Sequence, residues 1–219
     1  MKYRQLKLSE EEKMNNYIIR PERREDWREV ENLTREAFWN VYRPGCLEHY
    51  VLHNLRAEDC FIPELSCCIE ENGKIVAHIA YAKAEVTGDD GIVRDVAIFG
   101  PVSVLPEMQK RGYGSALINH TLGLAKNMGI PLILITGNQD YYKRFGFVSA
   151  SRHGIFYSGM DRGDEAPFFM VKILDEAKSK DIKGVYSDPP VYMADENDAD
   201  EFDKAFPYKE KLKLPGQLF

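Results

Sequence analysis

Positive charge is not in excess in this sequence, cysteine is scarce, and long apolar runs are missing. Lys and Arg number 29 against 35 Asp and Glu, a formal charge of -6, and no basic stretch alternates with aromatics, which argues against a nucleic-acid partner. No window approaches the roughly 18 consecutive apolar residues of a membrane span. The opening MKYRQLKLSEEEKMNN is charged where a signal peptide would carry an apolar core. The expectation is a cytoplasmic protein with no membrane contact, a monomer or a homodimer. Its four cysteines, Cys46, Cys60, Cys67 and Cys68, are too few and too clustered for a disulfide framework, and adjacent Cys67 and Cys68 in a strand would face opposite ways, so reduced thiols are expected. Cys46, His49 and His53 share a helical spacing, but no second tight cysteine pair accompanies them, and no metal site is expected.

What is present suits a globular α/β protein. The chain has 219 residues, 44% of them hydrophobic and 11% aromatic, enough for a sizeable core. A short strand is expected at 17–20. A helix follows from Glu25 with Trp27, Val30, Thr34, Ala37, Phe38 and Val41 on one face, and a second over residues 46–56 carries Leu47, Tyr50, Val51 and Leu55. Two strand-like runs around Glu71-Asn72-Gly73 predict a β-hairpin, because Asn-Gly supplies the positive φ angles of a tight turn. A long strand ending at 104 follows, with Gly100-Pro101 marking a bulge or splay. Next come a helix whose apolar face runs from Leu117 to Met128, an apolar strand LILIT, a short helix ended by Gly146, and a strand at 168–174. A strand, crossover helix and strand of this length imply a parallel pair. Residues 176–219 change character, with prolines, an acidic run from Asp195 to Asp203 and a basic run after it. Phe202, Phe206, Tyr208, Leu212, Leu214 and Phe219 predict that this extension packs on the domain at 1–175, with a helix near 198–206 capped by Asn197 and its acidic face solvated.

The richest stretch is PVSVLPEMQKRGYGSALINHTL. A helix start offers free N–H groups and about half a positive charge, glycines let backbone approach a ligand, and Lys110 and Arg111 add charge. The turn from Gln109 to Ser115 therefore suits a phosphate or pyrophosphate. Gly112-Tyr113-Gly114-Ser115-Ala116-Leu117 lacks the third small residue of a dinucleotide fingerprint and the Gly-Lys-Ser/Thr of a P-loop, which removes NAD and ATP.

Gln109-Lys110-Arg111-Gly112-Tyr113-Gly114, preceded by the strand GPVSVLP and followed downstream by Tyr142-Lys143-Arg144-Phe145-Gly146-Phe147, resembles the signature pair of the GNAT superfamily of N-acetyltransferases. The likeness runs over about residues 17–172 and extends to a bacterial branch of predicted acetyltransferases, with Gln139 where that branch carries Pro. The resemblance implies a mixed, largely antiparallel sheet flanked by helices, with acetyl-CoA as acyl donor. It implies that Val102, Ser103 and Val104 run along the pantetheine arm and that Gln109, Lys110, Arg111, Gly112, Tyr113, Gly114 and Ser115 hold the pyrophosphate. Asn138 would reach the pantetheine or thioester end, or serve only as a helix N-cap.

The reaction implied is direct attack of an unidentified amine, on a small molecule or a protein, on the thioester. Tyr142 would supply the proton or hydrogen bond that the departing thiolate needs. Glu64 is the first candidate for the base, with Asp95 and His78 as alternatives. A non-catalytic acyl-CoA-binding module, and an O-acyl or longer-acyl transferase on the same fold, are the rival readings.

Overall fold

The sheet grows outward from a hairpin, β2 (Cys67–Glu71) and β3 (Lys74–Thr87), joined by Asn72 and Gly73 at φ 52° and 76°. Both turn residues are left-handed, as a two-residue hairpin requires for its twist to match that of its strands. β1 (Tyr17–Pro21) lies antiparallel to β2, and β4 (Val93–Val104) antiparallel to β3. This computed structural model describes residues 17–218; the opening stretch and Phe219, about which the sequence raised expectations, lie outside them.

Two helices cross one face of the hairpin, α1 (Trp27–Phe38) and α2 (Glu48–Leu55), the second beginning after Cys46 and Leu47. α1 buries Val30, Leu33 and Thr34 against β3 and β4, where Ser103 Oγ meets Thr34 Oγ1 at 2.9 Å. The opposite face receives α3 (Tyr113–Asn127), whose Thr121 Oγ1 lies 2.8 Å from Tyr81 Oη. Tyr81 and His78, at odd separation on β3, face opposite helices by simple alternation. Met128, expected on the apolar face of α3, is exposed, because the helix ends at Asn127 and turns away at Gly129.

β5 (Leu132–Thr136) returns parallel to β4 and pairs on its other side with antiparallel β8 (Phe169–Ile173). Between them lie α4 (Gln139–Tyr142), β6 (Val148–Ser149) on the edge of β8, and β7 (Ile155–Tyr157). The order is β1-β2-β3-β4-β5-β8-β6, mixed but mostly antiparallel. The interior is aliphatic and aromatic, with Ile79, Leu117, Ile133, Leu134 and Val171 sealed from solvent. Each such side chain stabilises the fold by about 1.5–3 kcal/mol.

After β8 the chain forms α5 (Glu176–Ser179) and β9 (Gly184–Tyr186), which pairs with Val86 and Thr87 of β3 and runs parallel to β7. The last helix, α6, spans Glu196–Asp203 and is capped by the Asp195 carboxylate, two residues before the Asn197 cap read from sequence. Either residue can cap; Asp195 holds the extended backbone the position needs, at φ -71° and ψ 135°. The acidic run is not wholly solvated either. Asp203 takes two bonds from the buried Arg35, at 2.5 and 2.9 Å, and tethers the extension to α1. Phe206 is buried and Phe202 packs on α2, while Tyr208, Leu212 and Leu214 stay exposed.

Candidate active site

β4 and β5 part company. They pair only at Ala97↔Ile133 and Ile98↔Leu134; beyond that β4 stays with β3 and β5 with β8. The cause sits at Gly100-Pro101. Tyr81 pairs with Phe99 but Ile79 with Val102, so β4 carries one extra residue and bends. A slot opens between Gly100–Val104 and the end of β5.

The slot edge of β4 keeps its hydrogen-bonding groups. Leu105 N–H donates to Val76 O at 3.0 Å, so by alternation Val102 and Val104 turn their N–H and C=O away from β3, toward the slot. Gln109 Nε2 reaches the Val104 carbonyl at 3.3 Å from that side. Ser103 differs from its neighbours: its hydroxyl is buried on Thr34 and only its backbone belongs to the strand between them.

At the foot of the slot, none of the amides from Lys110 to Ser115 donates to any acceptor among the described residues. Lys110 and Gly112 adopt φ 61° and 92°, which turn the chain so that consecutive N–H groups converge at the start of α3. The exposed Lys110 and Arg111 have no ion-pair partner among the described residues. The Tyr113 side chain turns inward, its hydroxyl donating to Glu71 at 2.8 Å, so this residue offers the turn only its amide. Gly114 is needed for space, because a Cβ there would stand 3.0 Å from Tyr141 Oη across the slot.

The opposite wall is α4. Asn138 Oδ1 accepts from Asp140 N–H at 2.8 Å, which makes it the N-cap of α4 and leaves its amide nitrogen uncommitted. Tyr142 lies in an aromatic nest of Phe99, Phe145, Phe147 and Tyr141, with ring centroids between 5.0 and 6.5 Å. Burial pushes its phenol well above the ordinary value, and its hydroxyl has no hydrogen-bond partner among the described residues. Gly146, at φ 80°, ends the turn that follows and returns Phe147 to the core.

The candidate bases are scattered. Glu64 is exposed on the turn Pro63–Leu65, on the β2 side of β3, and Asp95 is exposed opposite Glu85. His78 is sealed beneath α1, where burial holds its imidazole down to about 4 and so neutral. Cys46 and His49 meet at 3.4 Å beside Asp203, whereas His53 turns to Glu31 at 2.9 Å. Sequence reasoning missed Gly137 and Tyr42 near Tyr142, and Tyr192 at the Gly100 carbonyl. Gly137 had a local signal, a glycine ending an apolar strand; the other two had none.

A family model described as an acetyltransferase (GNAT) domain matches residues 18–150. The chain is 31% identical over 108 residues to the uncharacterized N-acetyltransferase YjhQ of Escherichia coli (strain K12), a match over 48% of this chain. That match covers 54% of YjhQ, so the chain spans about half the length of that relative. It is 25% identical over 130 residues to the uncharacterized N-acetyltransferase YhbS of the same strain, over 59% of this chain and 74% of YhbS. The crystal structure of Escherichia coli YhbS in complex with CoA superposes with a TM-score of 0.69 at 19% identity, over 82% of this chain and 93% of YhbS, a likeness of fold. A GNAT family acetyltransferase from Brucella melitensis, solved with acetyl-CoA, superposes with a TM-score of 0.65 at 26% identity, over 80% of this chain and 97% of that one. With the family model covering more than half of its length, the chain belongs to the GNAT acetyltransferase family.

Proposed function

We propose that the protein transfers an acetyl group from acetyl-CoA to a primary amine by direct attack. The observation that carries this reading is the run of unbonded amides from Lys110 to Ser115 at the foot of a slot whose β4 edge is also unpaired. A pyrophosphate fits the amides and the two basic side chains, and an amide-bearing arm fits the outward N–H and C=O of Val102 and the N–H of Val104 as an added strand would. Gln109 closes the lower end of that edge, Ser103 and Gly112 to Ser115 set its shape, and Asn138 Nδ2 is left to reach the arm. The CoA and acetyl-CoA complexes of the two structural neighbours support the donor.

The amine nitrogen bonds to the thioester carbonyl carbon, and the C–S bond then breaks. Pro101 has no N–H, so Val102 offers the first free strand donor after the bulge to the developing oxyanion. The thiolate leaves beside Tyr142. Because burial raises this phenol above an ordinary thiol, Tyr142 donates a hydrogen bond that stabilises the sulfur, and the sulfur's proton arrives through solvent. The amine's surplus proton passes through water to Glu64, the exposed carboxylate on the turn after Ile62, whose N–H meets Tyr81 O at 3.0 Å near the level of the bulge. No helix among the described residues is long and apolar enough to cross a membrane. All four cysteines are free, in keeping with a reducing compartment such as the cytoplasm.

The test is acetyl-CoA binding by calorimetry together with thioester loss against a panel of primary amines, for the native chain, Tyr142→Phe and Glu64→Gln. Amide product with the native chain and a drop of about 10- to 100-fold in kcat for Tyr142→Phe at unchanged acetyl-CoA affinity support the reading. Binding without transfer to any amine, and no effect of Tyr142→Phe, would leave a non-catalytic acyl-CoA-binding module.

A further inference from the structure

The extension after β9 returns to the slot. Asp188 accepts hydroxyl hydrogens from Tyr186, at 2.7 Å, and from Tyr157. Four residues on, at the end of the turn Pro190–Tyr192, Tyr192 donates to the Gly100 carbonyl at 3.1 Å, on the bulge that opens the slot. The ionisable groups facing Tyr192 are Cys60, Asp188 and Tyr186. Further along, Asp203 is clamped by Arg35, and the last stretch is knitted to the connection between α1 and α2. Trp39 Nε1 and Asn40 Nδ2 both donate to Glu210 O at 3.0 Å, Leu212 N–H donates to Asn40 Oδ1, and Leu218 N–H donates to Tyr42 O at 2.8 Å. Asn40 sits at φ 60°, a conformation these bonds hold in place. Tyr42, placed in this way, is one of the ionisable groups facing Tyr142, with Tyr141 and Tyr81.

We infer that the extension forms the wall of the amine-side entrance, and that Tyr192 is a specificity-determining residue that limits how bulky an amine reaches the thioester at Gly100. The inference rests on the acyl-transfer reading above. The Tyr192 ring occupies the space in front of the bulge, and its hydroxyl takes up a carbonyl that strand pairing leaves free. Removing the ring widens the entrance on the side away from the amides at 110–115, so it changes acceptor choice and leaves the donor cradle intact.

The experiment follows acetyl-CoA thioester loss with two primary amines, methylamine as a slender probe and benzylamine as a bulky one, each against an enzyme-free control. It uses the full-length native chain, Tyr192→Phe and Tyr192→Ala. The expected result is that Tyr192→Ala raises the benzylamine-to-methylamine rate ratio about tenfold or more, while Tyr192→Phe keeps it within about twofold. Acetyl-CoA affinity should move by less than about threefold in both. Cys60, the one cysteine that is not buried among the described residues, is a second readout. Its alkylation by N-ethylmaleimide should accelerate in Tyr192→Ala but not in Tyr192→Phe. An unchanged ratio in Tyr192→Ala, or equal losses with both amines together with weakened acetyl-CoA binding, overturns the inference. If the native chain consumes thioester with neither amine, the acyl-transfer reading fails separately. Unchanged Cys60 alkylation in Tyr192→Ala then also refutes the wall, whereas faster alkylation keeps Tyr192 in that place.

Discussion

Gly137 and Tyr142 are in van der Waals contact across the turn that leaves β5: a methyl group on Gly137 would stand 2.7 Å from Tyr142 Cε2 and 3.7 Å from Cζ. The glycine therefore fixes where the phenol lies. Gly137→Ala should displace the ring and lower kcat by about 10- to 100-fold while acetyl-CoA affinity holds, because sub-ångström to ångström misplacement of a reacting group has costs of that order. Steady-state kinetics beside calorimetric binding decide it; an unchanged kcat would remove Tyr142 from the reaction.

Gly112 lies at φ 92° with open space where a Cβ would go, so its need for glycine is conformational alone. Gly112→Ala should strain the turn by about 1 kcal/mol. Acetyl-CoA affinity should weaken about fivefold or more. Acetyl-pantetheine, which lacks the pyrophosphate, should bind the variant as it binds the native chain. Equal weakening for both ligands would mean that the turn does not hold the pyrophosphate.

Arg35 is only 1% exposed and bonded by two nitrogens to Asp203, with Trp39 under its guanidinium at 4.1 Å. Asp203→Ala strands a buried cation that keeps, among the described residues, only Glu36 at 3.7 Å as an ion-pair partner. The expected loss is about 2–4 kcal/mol of unfolding free energy, since removing one partner of a buried pair leaves the other uncompensated. Urea denaturation measures it. A loss below about 0.5 kcal/mol would show that the extension is not anchored there.

His49 and His78 are both held down to about 4 by burial, from an ordinary 6.5. His49 Nε2 lies 3.1 Å from Asp203 Oδ1 but is not aligned to hydrogen-bond it, and desolvation outweighs that attraction. His78 is faced by Glu22, Arg56 and Asp26. As pH falls through 6.5 the unfolded chain takes up protons that the folded chain refuses, so stability is complete above that value and declines below it. Between pH 7 and 5.5 the slope should approach about 1.4 kcal/mol per pH unit per histidine near the lower end. His49→Gln should remove about half of it. A stability that is flat over this window would mean that one or both imidazoles are charged in the fold.

The parts of the site readable from sequence are those in which neighbours in the chain are neighbours in space. The turn at 109–115 follows its own strand and begins its own helix, so glycine spacing and charge mark it without knowledge of anything distant. The segment from Tyr142 to Phe147 is equally self-contained, with Gly146 ending its turn. The hairpin at Asn72-Gly73 and the parallel return of β5 follow from turn chemistry and connection length. The cap of α6 was placed two residues late because Asp195 and Asn197 are chemically equivalent choices, and only backbone direction separates them.

The sequence by itself determined the local features of the candidate donor side: the turn at 109–115 through its glycine spacing and charge, the bend at Gly100-Pro101 through its residue types, and Tyr142 through a segment that resembles a family motif. Tertiary structure decided where the extension lies. Arg35 meets Asp203 across 168 positions and Tyr192 meets Gly100 across 92. Such contacts exist only where the packed surfaces of α1, α2 and β4 happen to present a complementary charge or an unpaired carbonyl, which no local pattern encodes. Glu64 was the first candidate base, with Asp95 and His78 as alternatives, and the fold seals His78 beneath α1 while leaving Glu64 and Asp95 in water, because burial, not residue type, decides which ionisable group meets solvent.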